Sequence, residues 1–203
     1  MPRERHSNEL PENVKSVLAG MEIHALENPR TRNVTRELGT LLYMTAKLKQ
    51  ANETVEVGTS NGFSTIYLAQ AAKENGGHVT TIEKQAEKSQ DAILNLKKAG
   101  LVDFVDVITG QAQEVLSRAT EPIDFLFMDI LPGEYLGCIQ KCKSSLKKGA
   151  IIICDNFMGH RNRSGQFTNR GEDGNDFIEF AQNNFKSVSE ILNIGSGIII
   201  CTV

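Results

Sequence analysis

The chain has 203 residues, of which 40% are hydrophobic and 23% are charged, and its formal net charge is -3 at pH 7. These values are typical of one soluble domain with a sizeable core, predicted over residues 1–203, and the charge argues against extensive binding to a phosphate backbone. No apolar run approaches the roughly 20 residues of a membrane helix, and MPRERHSNELPENV is not a signal peptide, so we expect a cytoplasmic protein without a membrane partner.

Residues 11–50 predict two helices, broken near ENPRTRN (27–33), that cover a sheet or form a lid or subunit contact. Short apolar, β-branched runs then alternate with amphipathic segments. The candidate strands are TVEVG (54–58), HVTTIE (78–83), FVDVIT (104–109), IDFLFMD (123–129), GAIIICD (149–155), SVSEILN (187–193) and GIIICTV (197–203).

Strongly apolar strands separated by helices indicate a parallel sheet that is covered on both faces. Only IGSG (194–197) separates the last two strands, which permits a hairpin and one antiparallel strand. The fold prediction is therefore α/β: a doubly wound, seven-stranded, mostly parallel sheet with an antiparallel C-terminal strand. The four cysteines lie in apolar segments without zinc-ribbon spacing, so we expect buried, reduced thiols.

The turn GTSNG (58–62) has two interpretations. It matches the G-x-S-x-G elbow that presents a nucleophilic serine in hydrolases, and it also matches a glycine-rich turn that opens a helix over a nucleotide-like cofactor. The elbow requires several preceding strands, and none precedes this turn. A triad on Ser60 would need Asp129 or Asp155 together with His160, and His160 follows Asp155 by only five residues, so both would have to act from one short loop. We therefore favour the cofactor interpretation.

Polar groups stand at five successive strand ends, where ligands bind in open α/β sheets. These groups are Glu56 with Gly58, Glu83, the segment 110–113, Asp129, and Asp155 with Asn156. A carboxylate about 20 residues after the first turn usually binds ribose hydroxyls. Because the turn lacks G-x-G-x-x-G, a pyrophosphate such as that of NAD is not supported. An adenosine with a charged amino-acid tail fits better.

The motifs together resemble those of a known family. The segments are VEVGTSNGFSTIYLA, VTTIEKQAEKSQDAILNLKKAGL, VITGQAQEVL, IDFLFMD and LKKGAIIICDN. They are similar, from about residue 34 to the C-terminus, to class I S-adenosylmethionine-dependent O-methyltransferases of the cation-dependent catechol and caffeoyl-CoA group. The resemblance implies a Rossmann-like fold, a homodimer, and methyl transfer to a hydroxyl of a small molecule with vicinal oxygens.

The resemblance also implies the site residues. Those for S-adenosylmethionine are Glu56, Gly58, Thr59, Ser60, Gly62, Ser64, Glu83, Gly110, Ala112, Gln113 and Asp129, with Glu83 on the ribose and Ala112 and Gln113 beside the adenine. Those for the metal are Asp129, Asp155 and Asn156. Their oxygen donors suit Mg²⁺, Mn²⁺ or Ca²⁺, and such an ion would lower the pKa of a bound hydroxyl.

The chain departs from the family at the base. Many members carry a lysine three residues after the first metal aspartate, and Pro132 stands there, with Leu131 where a second acid is common. Pro132 cannot accept a proton. Either coordination to the metal bound by Asp129 suffices, or Glu134 or His160 substitutes as the base.

The segment 159–176 is polar and glycine-rich and follows the predicted metal ligands, which suits a loop over the substrate. Arg161, Arg163 and Arg170 could bind a phosphate or carboxylate of the substrate, or an RNA backbone. Two alternatives therefore stay open: a tRNA-modifying methyltransferase of the same fold, and a cofactor-binding protein that has lost turnover, as Pro132 suggests.

Overall fold

The computed structural model describes residues 10–28, 31–158 and 174–203 of the chain. Its strands are β1 (Glu53–Val57), β2 (His78–Glu83), β3 (Val105–Thr109), β4 (Ile123–Met128), β5 (Leu146–Cys154), β6 (Ser187–Val188) and β7 (Ile199–Thr202). They form one sheet in the order β3-β2-β1-β4-β5-β7-β6. All neighbouring pairs are parallel except those of β7, which runs antiparallel to β5 and β6. The predicted fold class is confirmed.

The described part of the chain contains seven α-helices, of which the first two precede β1 and the other five connect successive strands. They are α1 (Glu12–Glu27), α2 (Arg36–Lys49), α3 (Phe63–Asn75), α4 (Ala86–Ala99), α5 (Ala112–Leu116), α6 (Tyr135–Cys142) and α7 (Asn175–Asn184). The two helices predicted within residues 11–50 are thus α1 and α2. The Thr35 hydroxyl caps α2 by accepting a hydrogen bond from the Leu38 amide (3.3 Å). No helix within the described ranges is long and apolar enough to cross a membrane.

The core lies on both faces of the sheet, because the buried residues of β4 point alternately to the two sides. Phe125 and Phe127 pack against the layer that contains α1 to α4, whereas Leu126 and Met128 pack against the layer of α5 to α7. In α3, every residue from Phe63 to Ala72 is buried, since this helix packs between the sheet and α2. A run that is buried on all sides therefore forms the central helix of one layer.

The strand order reverses between β1 and β4, which is the topological switch point of this sheet. The two strands leave the sheet side by side: the Asp129 amide donates to the Val57 carbonyl (2.8 Å), and the Gly58 amide donates to the Ile82 carbonyl of β2 (2.9 Å). Ligands of open α/β sheets bind in the crevice at such a point. The fold therefore places the residues that directly follow β1 and β4 at the expected ligand site.

Strand bounds differ from prediction mainly at the C-terminus. The predicted strand 187–193 is reduced to Ser187–Val188 with an isolated bridge between Leu192 and Ile198. As the edge strand, β6 pairs only with β7, which has four residues, so a longer regular ladder has no partner.

Candidate active site

Left-handed backbone conformations turn the chain sharply from β1 into α3. Gly58, Ser60 and Gly62 have φ values of 102°, 49° and 87°. At Gly58 a side chain is also excluded by space, because a Cβ atom would lie 2.3 Å from the carbonyl oxygen of Asp129. The glycine thus allows the backbones that follow β1 and β4 to touch at the switch point.

Glu83, the last residue of β2, is held by backbone amides. Its Oε2 accepts a hydrogen bond from the Ser60 amide (2.9 Å), and its Oε1 accepts one from the Gln85 amide (3.0 Å). Only 7% of Glu83 is exposed, and its exposed part lines the cavity described below. The fixed carboxylate keeps free lone pairs, so it can accept hydrogen bonds from hydroxyl groups of a ligand.

Glu56 faces away from solvent and towards hydroxyl groups. Its carboxylate accepts hydrogen bonds from Ser64 (2.6 Å) and Thr65 (2.5 Å) of α3 and from Thr81 (2.6 Å) of β2, and the Thr59 hydroxyl lies 2.5 Å from that of Thr81. Burial raises the pKa of Glu56 to about 7, although the three hydrogen bonds oppose this shift. Glu56 therefore ties the turn and α3 to the sheet.

The raised pKa of Glu56 predicts a pH-dependent stability. Because the folded-state pKa of about 7 exceeds the ordinary 4.5, the folded protein binds this proton more tightly than the unfolded chain. Its contribution is complete below pH 4.5 and is lost as the pH rises through 7, a fall of about 3 kcal/mol in the free energy of unfolding. Urea unfolding across this pH range should show a shallower fall for Glu56→Gln than for wild type.

The matched control is Glu87→Gln, because Glu87 is exposed on α4. This variant should keep the pH dependence of wild type. An unchanged pH dependence in Glu56→Gln would show that the buried carboxyl ionises without penalty.

Asp129 and Asp155 come together because they follow the neighbouring parallel strands β4 and β5. Burial, and next the charge of Asp129, raises the pKa of Asp155 to about 7. Burial also raises the pKa of Asp129, against a hydrogen bond from Asn156. The Asn156 side-chain nitrogen donates to Asp129 Oδ1 (2.6 Å), and the Asn156 amide donates to Asp155 Oδ1 (2.7 Å). The structure thus joins the three predicted metal ligands.

A cavity of about 550 Å³ opens at the carboxyl ends of the strands. The predicted site residues that line it are Gly58, Ser60, Glu83, Gly110, Ala112, Asp129, Glu134, Asp155 and Asn156. The predicted residues that are not among its lining residues are Glu56, Thr59, Gly62, Ser64 and Gln113. Gln113 instead lies over α6, where a Cβ on Gly137 would be 2.5 Å from its side-chain nitrogen. Glu56, Thr59, Gly62, Ser64 and Gln113 are therefore not part of the cavity wall.

The candidate bases are placed differently. Glu134 lines the cavity together with Leu131, and Pro132 is buried at the start of the short 3-10 turn Pro132–Glu134. His160 lies outside the described residues, as do the arginines of the predicted substrate loop. Glu134 is therefore the predicted base that lies in the wall of the cavity, which Asp129 and Asp155 also line.

Three parts of the cavity were not predicted. They are the α1–α2 linker (31–35), which includes Arg32, the basic residues Lys84 and Lys88, and the turn residues Gly195 and Ser196. Lys84 and Lys88 could have been predicted from the sequence, because they come directly after Glu83 and are four residues apart at the start of α4. The linker and the turn carried none, because only the packing of α2 and β7 brings them to the cavity.

The set of Asp129, Asp155 and Asn156 fits a hard divalent cation by its donors, two carboxylates and an amide. Neither carboxylate forms an ion pair with another side chain in the described ranges. Those ranges also contain no group of three His, Cys, Asp or Glu side chains that could hold a metal, so the amide must complete the set. Asn156 directs its nitrogen at Asp129, and a cation requires the amide to present its oxygen instead.

The chain is similar in sequence to known methyltransferases. A family described as "Methyltransferase domain" matches residues 55–157. The chain is 37% identical over 133 residues to a catechol O-methyltransferase of Mycobacterium tuberculosis, a match that covers 65% of this chain and 60% of that protein. It is 32% identical over 128 residues to a catechol O-methyltransferase of Niastella koreensis, covering 61% of this chain and 58% of that protein. The matches thus span less than two thirds of either relative.

The similarity of the folds extends over nearly the whole chain. An O-methyltransferase from Bacillus cereus, solved in complex with SAH, aligns with a TM-score of 0.78 and 26% sequence identity. That alignment covers 98% of this chain and 93% of the other. These findings confirm the resemblance that the sequence motifs indicated.

Proposed function

Because the chain belongs to the methyltransferase family that matches residues 55–157, we propose that it is an S-adenosylmethionine-dependent O-methyltransferase. One observation carries the proposal: Glu83, Asp129 and Asp155, from three different strand ends, line the same cavity. The cavity has a fixed carboxylate, Glu83, in one place and the pair Asp129 and Asp155 in another. Such a cavity can bind a cofactor and an acceptor side by side. The proposed acceptor is a small molecule with vicinal oxygens.

For the cofactor, Glu83 is the proposed acceptor of hydrogen bonds from the ribose hydroxyls, since two backbone amides already orient its carboxylate. Gly58, Ser60, Gly110 and Ala112 provide small side chains and backbone at the cavity wall. S-adenosylmethionine supplies an electrophilic methyl group when bound. The protein residues then hold the acceptor oxygen close to that group, an effect of position that lowers the barrier by several kcal/mol.

For the acceptor, Asp129, Asp155 and Asn156 are proposed to hold a divalent cation. An ion bound there would act as a Lewis acid and would lower the pKa of a substrate hydroxyl. Glu134, which lines the same cavity, is the proposed acceptor of the released proton, because Pro132 has no group that can take it.

Calorimetric titration tests the cofactor site first. We expect S-adenosylmethionine to bind wild type, and Glu83→Ala to weaken binding about 10- to 100-fold, the effect of losing hydrogen bonds to a charged group. The matched control is Glu53→Ala at the opposite end of the sheet, at the start of β1, which should bind like wild type. Absence of binding to wild type would refute the proposal.

Methyl transfer to catechol with and without Mg²⁺ tests the reaction. Product that forms only with Mg²⁺ is the expected result. Transfer that is equally fast in a chelator would contradict the cation-assisted step while leaving the cofactor site intact. Cofactor binding without transfer to any of a panel of catechols and diols would favour a binding protein, and product on tRNA would favour the RNA-modifying alternative.

A further inference from the structure

Tyr135, the first residue of α6, is completely buried beside the acidic pair. Its ring packs against Phe157 and Phe177, with centroid distances of 5.6 and 5.8 Å. Phenylalanine would fill this space equally well. The hydroxyl group is therefore the part of the side chain that needs an explanation, because a buried hydroxyl without a hydrogen-bond partner is unfavourable.

The hydroxyl lies among carbonyl oxygens of two different strand ends. Its oxygen is 2.6 Å from the carbonyl of Asp155, 3.1 Å from that of Ile130 and 3.4 Å from that of Met128. A tyrosine hydroxyl has one proton, so the short contact to Asp155 is the principal hydrogen bond. The other two carbonyls belong to β4 and the loop that follows it. Because Tyr135 begins the helix that follows β4 and its loop, its hydrogen bond to Asp155 ties the end of β5 to the segment that leaves β4.

This connection begins where the sheet ends. The last ladder contact between the two strand ends runs from the Asp155 amide to the Met128 carbonyl (3.0 Å). Beyond it, the side-chain nitrogen of Asn156 reaches the Ile130 carbonyl (3.2 Å), the same oxygen that the Tyr135 hydroxyl approaches. In this conformation the two side chains together hold the strand ends that carry the proposed ligands. A cation would require the Asn156 amide to present its oxygen, so the bond from its nitrogen to Ile130 would be lost and the Tyr135 hydroxyl would be the contact that remains.

We propose that Tyr135 is a positioning residue whose hydroxyl fixes the spacing of Asp129, Asp155 and Asn156 for the cation. This inference rests on the proposed function, since it requires that these side chains hold a cation. The hydroxyl touches neither the cation nor the substrate in this role. It acts by holding the backbone from which the three ligands extend, and a loss of such supporting contacts typically weakens metal binding 10- to 100-fold.

Titration of Mn²⁺, followed by the electron paramagnetic resonance signal of the free ion, tests the role directly. We expect Tyr135→Phe to bind Mn²⁺ about 10- to 100-fold more weakly than wild type while its affinity for S-adenosylmethionine stays unchanged. The matched control is Tyr43→Phe, which also removes a buried tyrosine hydroxyl, one bonded to Glu74 (2.9 Å) in the α2–α3 interface. It should bind Mn²⁺ like wild type.

A second variant separates the hydroxyl from the packing of the ring. Phe177→Leu loosens a neighbour of the ring but keeps the hydroxyl, and it should retain the affinity for Mn²⁺. If thermal denaturation shows Tyr135→Phe to be partly unfolded, the titration is repeated in sucrose, which favours the folded state.

Each outcome decides the question. Equal Mn²⁺ affinity in wild type and Tyr135→Phe overturns the inference but not the proposed function. An equal loss in Tyr43→Phe or Phe177→Leu also overturns it, because the effect would then be a general loss of stability. No Mn²⁺ binding to wild type overturns both the inference and the cation-assisted reaction.

Discussion

Replacement of Asp155 by asparagine is expected to stabilise the metal-free protein and at the same time to abolish metal-assisted methyl transfer. The folded-state pKa of Asp155 is about 7, against an ordinary value of 3.8. The stabilising contribution of its protonated form is thus present below pH 3.8 and lost as the pH rises through 7. Above pH 7 the wild type holds a charge that the fold disfavours, and Asp155→Asn does not.

The expected gain in the free energy of unfolding above pH 7 is about 1–3 kcal/mol, because weaker hydrogen bonds to the amide offset part of the benefit. Activity should change in the opposite direction. Loss of a charged cation ligand removes several kcal/mol of transition-state stabilisation, or roughly a thousandfold in rate. Added Mg²⁺ should raise the unfolding free energy of wild type and leave that of Asp155→Asn unchanged.

Asp124→Asn is the matched control, since Asp124 is also buried but has charged and polar partners. Lys147 donates to its Oδ2 (2.9 Å), as do the amides of Asn52 and Glu53 (3.1 Å each). Burial acts to raise the pKa of Asp124, but these partners outweigh it and lower the pKa. Asp124→Asn should therefore destabilise the protein without changing its response to Mg²⁺. Destabilisation by Asp155→Asn would show that the pair is satisfied without a cation.

Gly58→Ala is expected to have the largest effect on the fold near the site. The new Cβ would lie 2.3 Å from the Asp129 carbonyl oxygen, on a residue whose φ of 102° disfavours any side chain. The contact is with backbone, so neither strand end can move without breaking the hydrogen bond from the Asp129 amide to Val57. Strain and overlap together should lower the free energy of unfolding by about 2–5 kcal/mol and eliminate cofactor binding.

Gly76→Ala separates the two causes. Gly76 also has a left-handed conformation, with φ of 71°, but no atom lies within 4 Å of a Cβ built there. This variant should lose only about 1 kcal/mol, the cost of the backbone conformation, and keep cofactor binding. Chemical denaturation and calorimetry on both variants measure the difference. Equal losses would mean that the close approach to Asp129 has no energetic importance.

The sequence alone was sufficient to predict most secondary-structure elements and the fold class. The buried strands β1, β2, β4 and β5 are short and rich in apolar and β-branched residues, and the helices between them have apolar residues at helical spacing, so local pattern alone indicates a covered parallel sheet. The order and spacing of the motifs also resembled those of the methyltransferase family. This resemblance is visible in the sequence because each motif is a continuous segment. The single domain, the dimer and the roles of individual residues stay predictions.

The sequence also determined that polar groups stand at successive strand ends, but the tertiary structure decided which of them face the cavity. Glu56 is turned towards Ser64, Thr65 and Thr81, partners from α3 and β2 that no local pattern identifies. Glu83, in contrast, is held by amides at the cavity edge. The physical reason is that a strand end fixes where a carboxylate lies, whereas burial and hydrogen bonds from residues distant in the chain fix where it points.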